Sequence, residues 1–198
     1  MDNYDPVTPS SAKAKHHDEL PSVKKELINE ALSWAKTIFF ALAFAVLINT
    51  FVIVNATVPT GSMMNTIQPN DRIIAFRLAY RFSQPQRYDI VVFRSPDDSN
   101  DLYVKRIVGL PGDTIVGIDG HVYVNGEDTP LRSDFVRGEL EGSFGPYMVP
   151  QDHFFVLGDY RGNSHDSRRF NDTFVCRDLF LGRVVFRYFP GFKNLRRT

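Results

Sequence analysis

The sequence predicts a mainly β protein, with a single N-terminal transmembrane helix followed by an antiparallel β domain. Three observations lead to this fold class. No charged residue occurs between Thr37 and Asn70, as expected for a segment that crosses a bilayer. Short runs rich in Val, Ile, Phe and Tyr then alternate with turn sequences. No later stretch has the apolar spacing of a long amphipathic helix, so a barrel-like or coiled sheet is expected.

Length and composition limit the possible functions. A chain of 198 residues holds one folded domain and an appendage, at about 150 residues per domain. Lys plus Arg and Asp plus Glu both number 23, so no basic surface is expected and we predict no nucleic acid partner. The single cysteine, Cys176, excludes an internal disulfide and any zinc site with two thiolates. We predict no metal and no cofactor.

The N-terminal segment, residues 1–30, is polar with almost no apolar periodicity, which predicts a disordered tail. Residues 31–58 form the predicted membrane anchor. Residues 38–48 are all apolar, and residues 37–58 just reach across a hydrocarbon core of about 30 Å. A buried core helix is the alternative, but such a helix usually keeps a polar stripe. A cleaved signal peptide would begin earlier and end in small residues, unlike residues 56–58.

Basic residues flank the anchor unequally. Lys24, Lys25 and Lys36 precede it, and the next basic residue after it is Arg72. Since basic flanking segments stay on the cytoplasmic side, we predict a single-pass protein of the cell membrane with its N-terminus in the cytoplasm. Residues 59–198 then form an extracytoplasmic β domain, and the lipid bilayer is a predicted partner.

Strands in the β domain are predicted from apolar runs bounded by turn residues. Asp119-Gly120 is a two-residue turn of the type I′ kind and predicts a β-hairpin. Residues 126–150 hold scattered Gly, Pro and Glu, which indicates a small loop-rich insertion without a second core. The predicted strands cover residues 71–80, 88–94, 101–110, 114–116, 121–124, 153–157 and 182–189.

Three segments carry candidate chemistry. Ser62 stands between a glycine and a methionine shortly after the anchor, which is a weak signal by itself. Lys105 shares a strand face with Tyr103 and Ile107, and apolar burial there would lower its pKa as a general base requires. An exposed lysine on an edge strand is the commoner interpretation of that pattern alone. A further strand leads into a polar loop at residues 158–168, of the kind that caps a fold or builds a site.

Together, and in this order after one anchor, the three segments resemble the bacterial type I signal peptidases, from about Trp34 to the C-terminus. The motifs read Ser-Met, Tyr-x-Lys-Arg-x-x-Gly-x-Pro-Gly-Asp and Gly-Asp-x-Arg-x-Asn-Ser-x-Asp-Ser-Arg. The short insertion and single span look most like the compact form typical of Gram-positive bacteria. The resemblance implies a membrane-bound serine endopeptidase that removes signal peptides from exported preproteins. Ser62 is then the nucleophile of a Ser-Lys dyad and Lys105 its base.

The resemblance also implies supporting roles for five residues of the later motifs. Ser164 matches an auxiliary serine that positions the lysine. Asp166 and Arg168 match the family's Asp and Arg in the last motif. Asp159 and Arg106 match a supporting ion pair.

Two further groups of residues concern the substrate. The oxyanion of the transition state needs hydrogen-bond donors, and the Ser62 amide and the Thr60 hydroxyl are candidates, as the corresponding hydroxyl is in the family. Val58 and Met63 are candidates to wall a shallow pocket for small residues, and Tyr103 is assigned to the same site. Such a pocket would explain the family's preference for Ala-x-Ala before the cut.

Asn65 departs from the family pattern, which usually has proline three residues after the nucleophile. We expect the loss of proline to loosen Ser62 without removing a reactive group. A catalytically weak or idle homologue that binds exported chains is therefore an alternative. A Ser-His-Asp triad with His165 beside Asp166 is another, although adjacent loop residues rarely point at one another in relay order. A self-cleaving repressor of the Ser-Lys type would need a helix-turn-helix in place of the anchor.

Overall fold

The computed structural model describes residues 20–139 and 142–195. The chain divides into two compact units, the first ending at Val46 and the second beginning at Leu47. Helix α1, Leu20–Phe51, supplies the described part of the first unit. All the strands of the described residues belong to the second unit, so the prediction of an N-terminal helix followed by a mainly antiparallel β domain is confirmed.

Helix α1 is apolar along most of its length. Val23–Phe51 is long and apolar enough to cross a membrane. Large apolar side chains are exposed at successive positions, among them Phe39, Phe40, Leu42 and Phe44. A buried core helix would hide these side chains, so their exposure favours the membrane-spanning interpretation. The described residues before the first strand form this one continuous helix and contain no helix-turn-helix.

The bounds of α1 differ from the prediction at both ends. The helix begins at Leu20, so residues 20–30 are helical and not disordered, because Lys, Glu, Leu and Ala are strong helix formers that extend the helix of the anchor. Residues 1–19 of the predicted tail lie outside the described residues. The helix ends at Phe51 and not at residue 58, because Ile53–Thr57 pairs with another strand and its β-branched residues favour extended backbone.

The second unit contains two antiparallel sheets. The larger has the strand order β1-β2-β10-β3-β4-β8-β9, with β11 paired to β10, and the smaller has the order β6-β5-β7. A short helix, α2, covers Ala79–Phe82, and single 3-10 turns cover Arg161–Asn163 and Arg177–Leu179. The strands are β1 Ile53–Thr57, β2 Arg72–Phe76, β3 Ile90–Arg94, β4 Leu102–Gly109, β5 Thr114–Ile118, β6 His121–Val124, β7 Phe144–Met148, β8 His153–Leu157, β9 Val175–Cys176, β10 Phe180–Phe189 and β11 Lys193–Asn194.

The smaller sheet confirms one prediction and corrects another. Asp119 and Gly120 both have positive φ, 49° and 81°, as a type I′ turn requires, and they join β5 to β6. The insertion at residues 126–150 is not only loop. Its strand β7 pairs with β5, and its Val149 is buried in the same apolar cluster as Ile115. Gly and Pro within β7 break the usual strand composition and hide this strand from the sequence pattern.

Strand β4 organises the larger sheet around the candidate site. It lies between β3 and β8 and is antiparallel to both. Its two faces pack into different apolar clusters: Tyr103 and Ile107 lie with Phe93, and Val104 packs against the cluster that contains Met63. The backbone of β4 is therefore fixed along both its edges and both its faces.

Candidate active site

Ser62 lies in the connection between β1 and β2. Tight turns form this connection, in which the Met64 amide donates to the Gly61 carbonyl at 3.0 Å and the Ile67 amide donates to the Met63 carbonyl at 2.9 Å. The side chains of Met63 and Ile67 are fully buried in one apolar cluster. They anchor the turn, so Ser62 is only 7% exposed.

Lys105 projects from the middle of β4 to the same point. Its Nζ lies 2.6 Å from the Ser62 Oγ, and its side chain is 3% exposed. The same Nζ lies 5.4 Å from the centroid of the Tyr103 ring. Tyr103 in turn stacks on Phe170, with ring centroids 5.9 Å apart. The lysine amine therefore has an aromatic wall on one side and the serine hydroxyl within hydrogen-bond distance.

Burial changes the protonation of Lys105. Desolvation lowers its pKa from 10.5 to about 8, against the opposing charges of Asp166 and Asp159 and with a smaller contribution from Arg168. With a pKa of about 8, about one lysine in eleven is neutral at pH 7, against about one in 2,500 for a solvated lysine. Lys105 is buried, and the edge-strand alternative is wrong, because β4 is paired with β3 on one edge and with β8 on the other.

Arg106 and Asp159 form a buried ion pair next to the turn that holds Ser62. Nε and Nη2 of Arg106 donate to the two carboxylate oxygens of Asp159 at 2.9 Å and 2.7 Å. Both side chains are fully buried. The Thr66 hydroxyl also donates to Asp159, and a further guanidinium bond reaches the Tyr88 carbonyl at 3.0 Å. This bidentate pair joins β4, the loop after β8 and the turn that holds Ser62.

Asp166 and Arg168 form a second ion pair in the polar loop. Nε and Nη2 of Arg168 donate to the two oxygens of Asp166, each at 2.8 Å, and the Gly158 amide donates to the same carboxylate at 3.0 Å. Burial raises the pKa of Asp166, but the guanidinium and the amide outweigh burial and hold that pKa below its usual value. The carboxylate is therefore ionised and lies near enough to Lys105 to oppose the fall in the lysine pKa.

Ser164 is buried beside the serine turn. A β-carbon added to Gly158 would collide with the Ser164 Oγ and with the Ser62 carbonyl oxygen, so all three groups are in close packing. Within the described part of the chain, the Ser164 hydroxyl makes no hydrogen bond to Lys105. The Tyr160 amide donates to the Ser62 carbonyl at 2.9 Å, so the polar loop holds the Ser62 turn by its backbone.

The remaining predicted residues take different positions. Val58 and Met63 are buried in the apolar cluster under the turn, while Thr60 is exposed. His165 is 48% exposed at its side chain, and its Nε2 lies 3.0 Å from Asp97. The imidazole therefore pairs with a surface carboxylate and not with Ser62, which counts against the triad alternative. Among residues 20–139 and 142–195, no three His, Cys, Asp or Glu side chains are grouped as metal ligands.

The sequence interpretation missed three groups that the structure brings to the site. Thr66 bonds to Asp159, Gly158 permits the close packing of two loops, and Phe135 of the insertion lies under the Arg106 guanidinium at 4.0 Å. Gly158 stands in the last motif, so the sequence could have indicated that this position has no room for a side chain. Nothing in the local pattern around Phe135 indicates its contact with a strand thirty residues away.

A serine hydroxyl next to a buried lysine of lowered pKa, on an antiparallel β domain, is an arrangement suited to the class of serine hydrolases. The sequence profile described as signal peptidase, peptidase S26, matches residues 31–189. The chain therefore belongs to the signal peptidase family, peptidase S26. Its reaction is the removal of signal peptides from preproteins by a serine peptidase, and its helix Val23–Phe51 is long and apolar enough to cross a membrane.

Individual relatives cover most of the chain. A signal peptidase I from Leptolyngbya laminosa is 35% identical over 96% of this chain and 91% of the relative. The protein named Probable signal peptidase I-2 from Synechocystis sp. is 40% identical over 82% of this chain and 75% of the relative. A signal peptidase I from Bacillus amyloliquefaciens is 36% identical over 84% and 92%. Nothing in these comparisons favours the idle homologue.

Proposed function

We propose that Ser62 is the nucleophile and Lys105 the general base of a Ser-Lys dyad that cleaves signal peptides from preproteins. The observation that carries the proposal is the 2.6 Å separation of the lysine Nζ and the serine Oγ in a buried site. A lysine pKa of about 8 supports the role of base, because a useful fraction of the amine is neutral near pH 7.

The reaction proceeds in two halves. Neutral Lys105 accepts the Ser62 proton while Oγ attacks the scissile carbonyl carbon. The peptide C–N bond then breaks, and the ammonium of Lys105 gives its proton to the leaving amine. In the second half, Lys105 takes a proton from water as the water oxygen attacks the acyl ester. The released serine oxygen regains that proton, and both residues return to their starting states.

The oxyanion of each tetrahedral intermediate is stabilised by the Ser62 amide and the Thr60 hydroxyl. Thr60 is exposed, so its hydroxyl is accessible to a substrate carbonyl. Removal of one such donor typically lowers the rate by about 10² to 10³. Ser164 and the ion pairs Asp159–Arg106 and Asp166–Arg168 act on the position of the dyad and on the charge around the lysine.

Cleavage after Ala-x-Ala is supported by the apolar surroundings of the serine. Met63 follows Ser62 directly and Val58 lies four residues before it; both are buried in one cluster with Val104, so they would form the apolar floor of a pocket beside the serine. Tyr103 is partly buried and packs behind Lys105, which makes it a wall of the site. Small side chains fit such a pocket better than large ones.

We propose a single-pass topology in which the N-terminus is cytoplasmic and the catalytic domain extracytoplasmic. The support is that Lys24, Lys25 and Lys36 precede the uncharged stretch of residues 37–70 within and after this helix, and that the next basic residue is Arg72. A protease added outside intact protoplasts is expected to degrade the β domain and spare the N-terminal tail. The opposite protection pattern would invert the topology.

The catalytic proposal is tested with the full chain in detergent and a preprotein substrate, with products identified by mass spectrometry. Ser62→Ala and Lys105→Ala are each expected to abolish cleavage while thermal unfolding shows a folded domain. Ser99→Ala, which changes an exposed serine in the turn between β3 and β4, is the matched control and should cleave normally. Substantial cleavage by either dyad variant would contradict the proposal.

A further inference from the structure

Asn65 has a backbone conformation that proline cannot adopt. Its φ is 96°, in the left-handed region, whereas the proline ring holds φ near about −65°. Asparagine enters this region more readily than most residues with a β-carbon. We call the turn around Ser62 the nucleophile turn. Its backbone at Asn65 suits asparagine and excludes the proline that the resembled family usually has at this position.

The side chain of Asn65 connects the nucleophile turn to the insertion. Its Nδ2 donates to the backbone carbonyl of Phe135 at 3.1 Å. Phe135 is only 6% exposed, with the Arg106 guanidinium 4.0 Å above its ring and the Tyr88 ring 5.8 Å away. Arg106 is in turn bonded to Asp159. The acceptor of the Asn65 hydrogen bond is thus held by a buried and charged network.

The same part of the insertion also binds the polar loop. The Arg137 amide donates to the Asp159 carbonyl at 2.7 Å, and the Arg161 amide donates back to the Arg137 carbonyl at 2.9 Å. One residue further along the polar loop from Asp159, the Tyr160 amide donates to the Ser62 carbonyl. We call residues 135–137 the strap, because they bind the nucleophile turn on one side and the polar loop on the other.

We propose that Asn65 is a positioning residue for Ser62, which acts through its hydrogen bond to the strap. This inference rests on the proposed function, in which Ser62 is the nucleophile and Lys105 its base. The proton transfer needs Oγ within hydrogen-bond distance of Nζ, and small displacements from that geometry are costly. The asparagine therefore tightens the turn, which is the opposite of the loosening expected from the missing proline.

The test compares two variants that remove the hydrogen bond without opposing the left-handed backbone. Asn65→Gly removes the amide and permits positive φ. Asn65→Asp keeps the shape but replaces the donor with an oxygen that faces the Phe135 carbonyl. We expect kcat to fall about fivefold in Asn65→Gly and further in Asn65→Asp, with KM unchanged, as loss of one neutral hydrogen bond implies. A merely structural role would lower the melting temperature and leave kcat per folded molecule unchanged.

The matched control is Asn70→Gly, which changes another exposed asparagine with positive φ, 68°, in the same connection. It should leave both kinetic constants within about a factor of 1.5, because its side chain is not part of the bond to the strap. The substrate for all variants is a synthetic peptide with an Ala-x-Ala site, and the enzyme is the full chain in detergent. Thermal unfolding of each variant is recorded in the same buffer.

The outcomes separate this inference from the proposed function. Wild-type kcat in Asn65→Gly and Asn65→Asp, with Ser62→Ala inactive, overturns the role of Asn65 and leaves the dyad standing. A raised KM at constant kcat also overturns it, because Asn65 would then bind substrate. An Asn65→Pro variant with higher kcat than wild type would do the same. Activity in Ser62→Ala overturns both proposals.

Discussion

Titration of Lys105 should set the pH dependence of catalysis. Burial lowers its pKa to about 8, and only the neutral amine can accept the serine proton. The neutral fraction is then about 1% at pH 6, about 9% at pH 7 and about 50% at pH 8. We therefore expect kcat/KM to rise about ninefold from pH 6 to pH 7 and to become constant above about pH 9.

The assay measures initial cleavage rates of an Ala-x-Ala peptide by the full chain between about pH 5.5 and pH 10, at constant ionic strength. Asp166→Asn tests the cause of the pKa: its carboxylate raises the lysine pKa, so its removal should move the ascending limb to lower pH. Asp97→Asn removes an exposed carboxylate that pairs with His165, and it should leave the limb in place.

Two results would refute this reasoning. An ascending limb near about pH 6.5 that disappears in His165→Ala would identify histidine as the base. A limb near about pH 10.4 would show that burial does not lower the lysine pKa in the working enzyme.

Three further outcomes follow from the buried charges and from the surface histidine. Lys105→Met should abolish cleavage but raise the melting temperature at pH 7, because the folded site disfavours the ammonium form by about 3 kcal/mol. The lysine of the unfolded chain keeps its proton up to about pH 10.5, whereas the folded site releases it near about pH 8. Wild-type stability should therefore rise between these two pH values, and the stability advantage of Lys105→Met should shrink there. A melting temperature of Lys105→Met below that of wild type at pH 7 would contradict this reasoning. Arg106→Met leaves Asp159 buried without its cation and should lower the free energy of unfolding by about 3 to 5 kcal/mol, measured by denaturant unfolding, with partial recovery when Asp159 is also changed to Leu. His165→Ala should keep most of the activity, since its half-exposed ring pairs with Asp97, and a loss as large as removal of the nucleophile would restore the triad.

The β domain could be predicted from sequence where apolar runs end in clear turn residues. The hairpin at Asp119-Gly120 is such a case, because its conformation is encoded in two adjacent residues. Strand β1 was placed in the anchor by its apolar composition, since Ile and Val are equally compatible with a membrane helix and a strand. What decides between them is pairing with β2, a contact that local sequence does not contain.

The site shows the same division between local and distant information. Alternation along β4 predicts that Lys105 shares a face with Tyr103, as observed, but the pattern alone favours an exposed lysine, and its burial is visible only in the structure. The motifs name the charged residues but not their pairing geometry. The bond from Asn65 to Phe135 spans seventy residues of sequence and depends on how the insertion folds. From the sequence, the absence of proline predicts a looser turn around Ser62. The hydrogen bond from Asn65 to Phe135, which compensates for that absence, is visible only in the structure.

The residues that meet in the site are far apart in the sequence, and this affects when the site can form during synthesis of the chain. Ser62 and Lys105 are 43 residues apart, Arg106 and Asp159 are 53 apart, and Thr66 and Asp159 are 93 apart. Contacts between such distant residues form late and slowly, because the closure of each large loop costs entropy before it gains stabilisation. A partly folded chain therefore contains a solvated serine and a protonated lysine, both inert. We therefore expect peptidase activity to appear only after these distant contacts have formed.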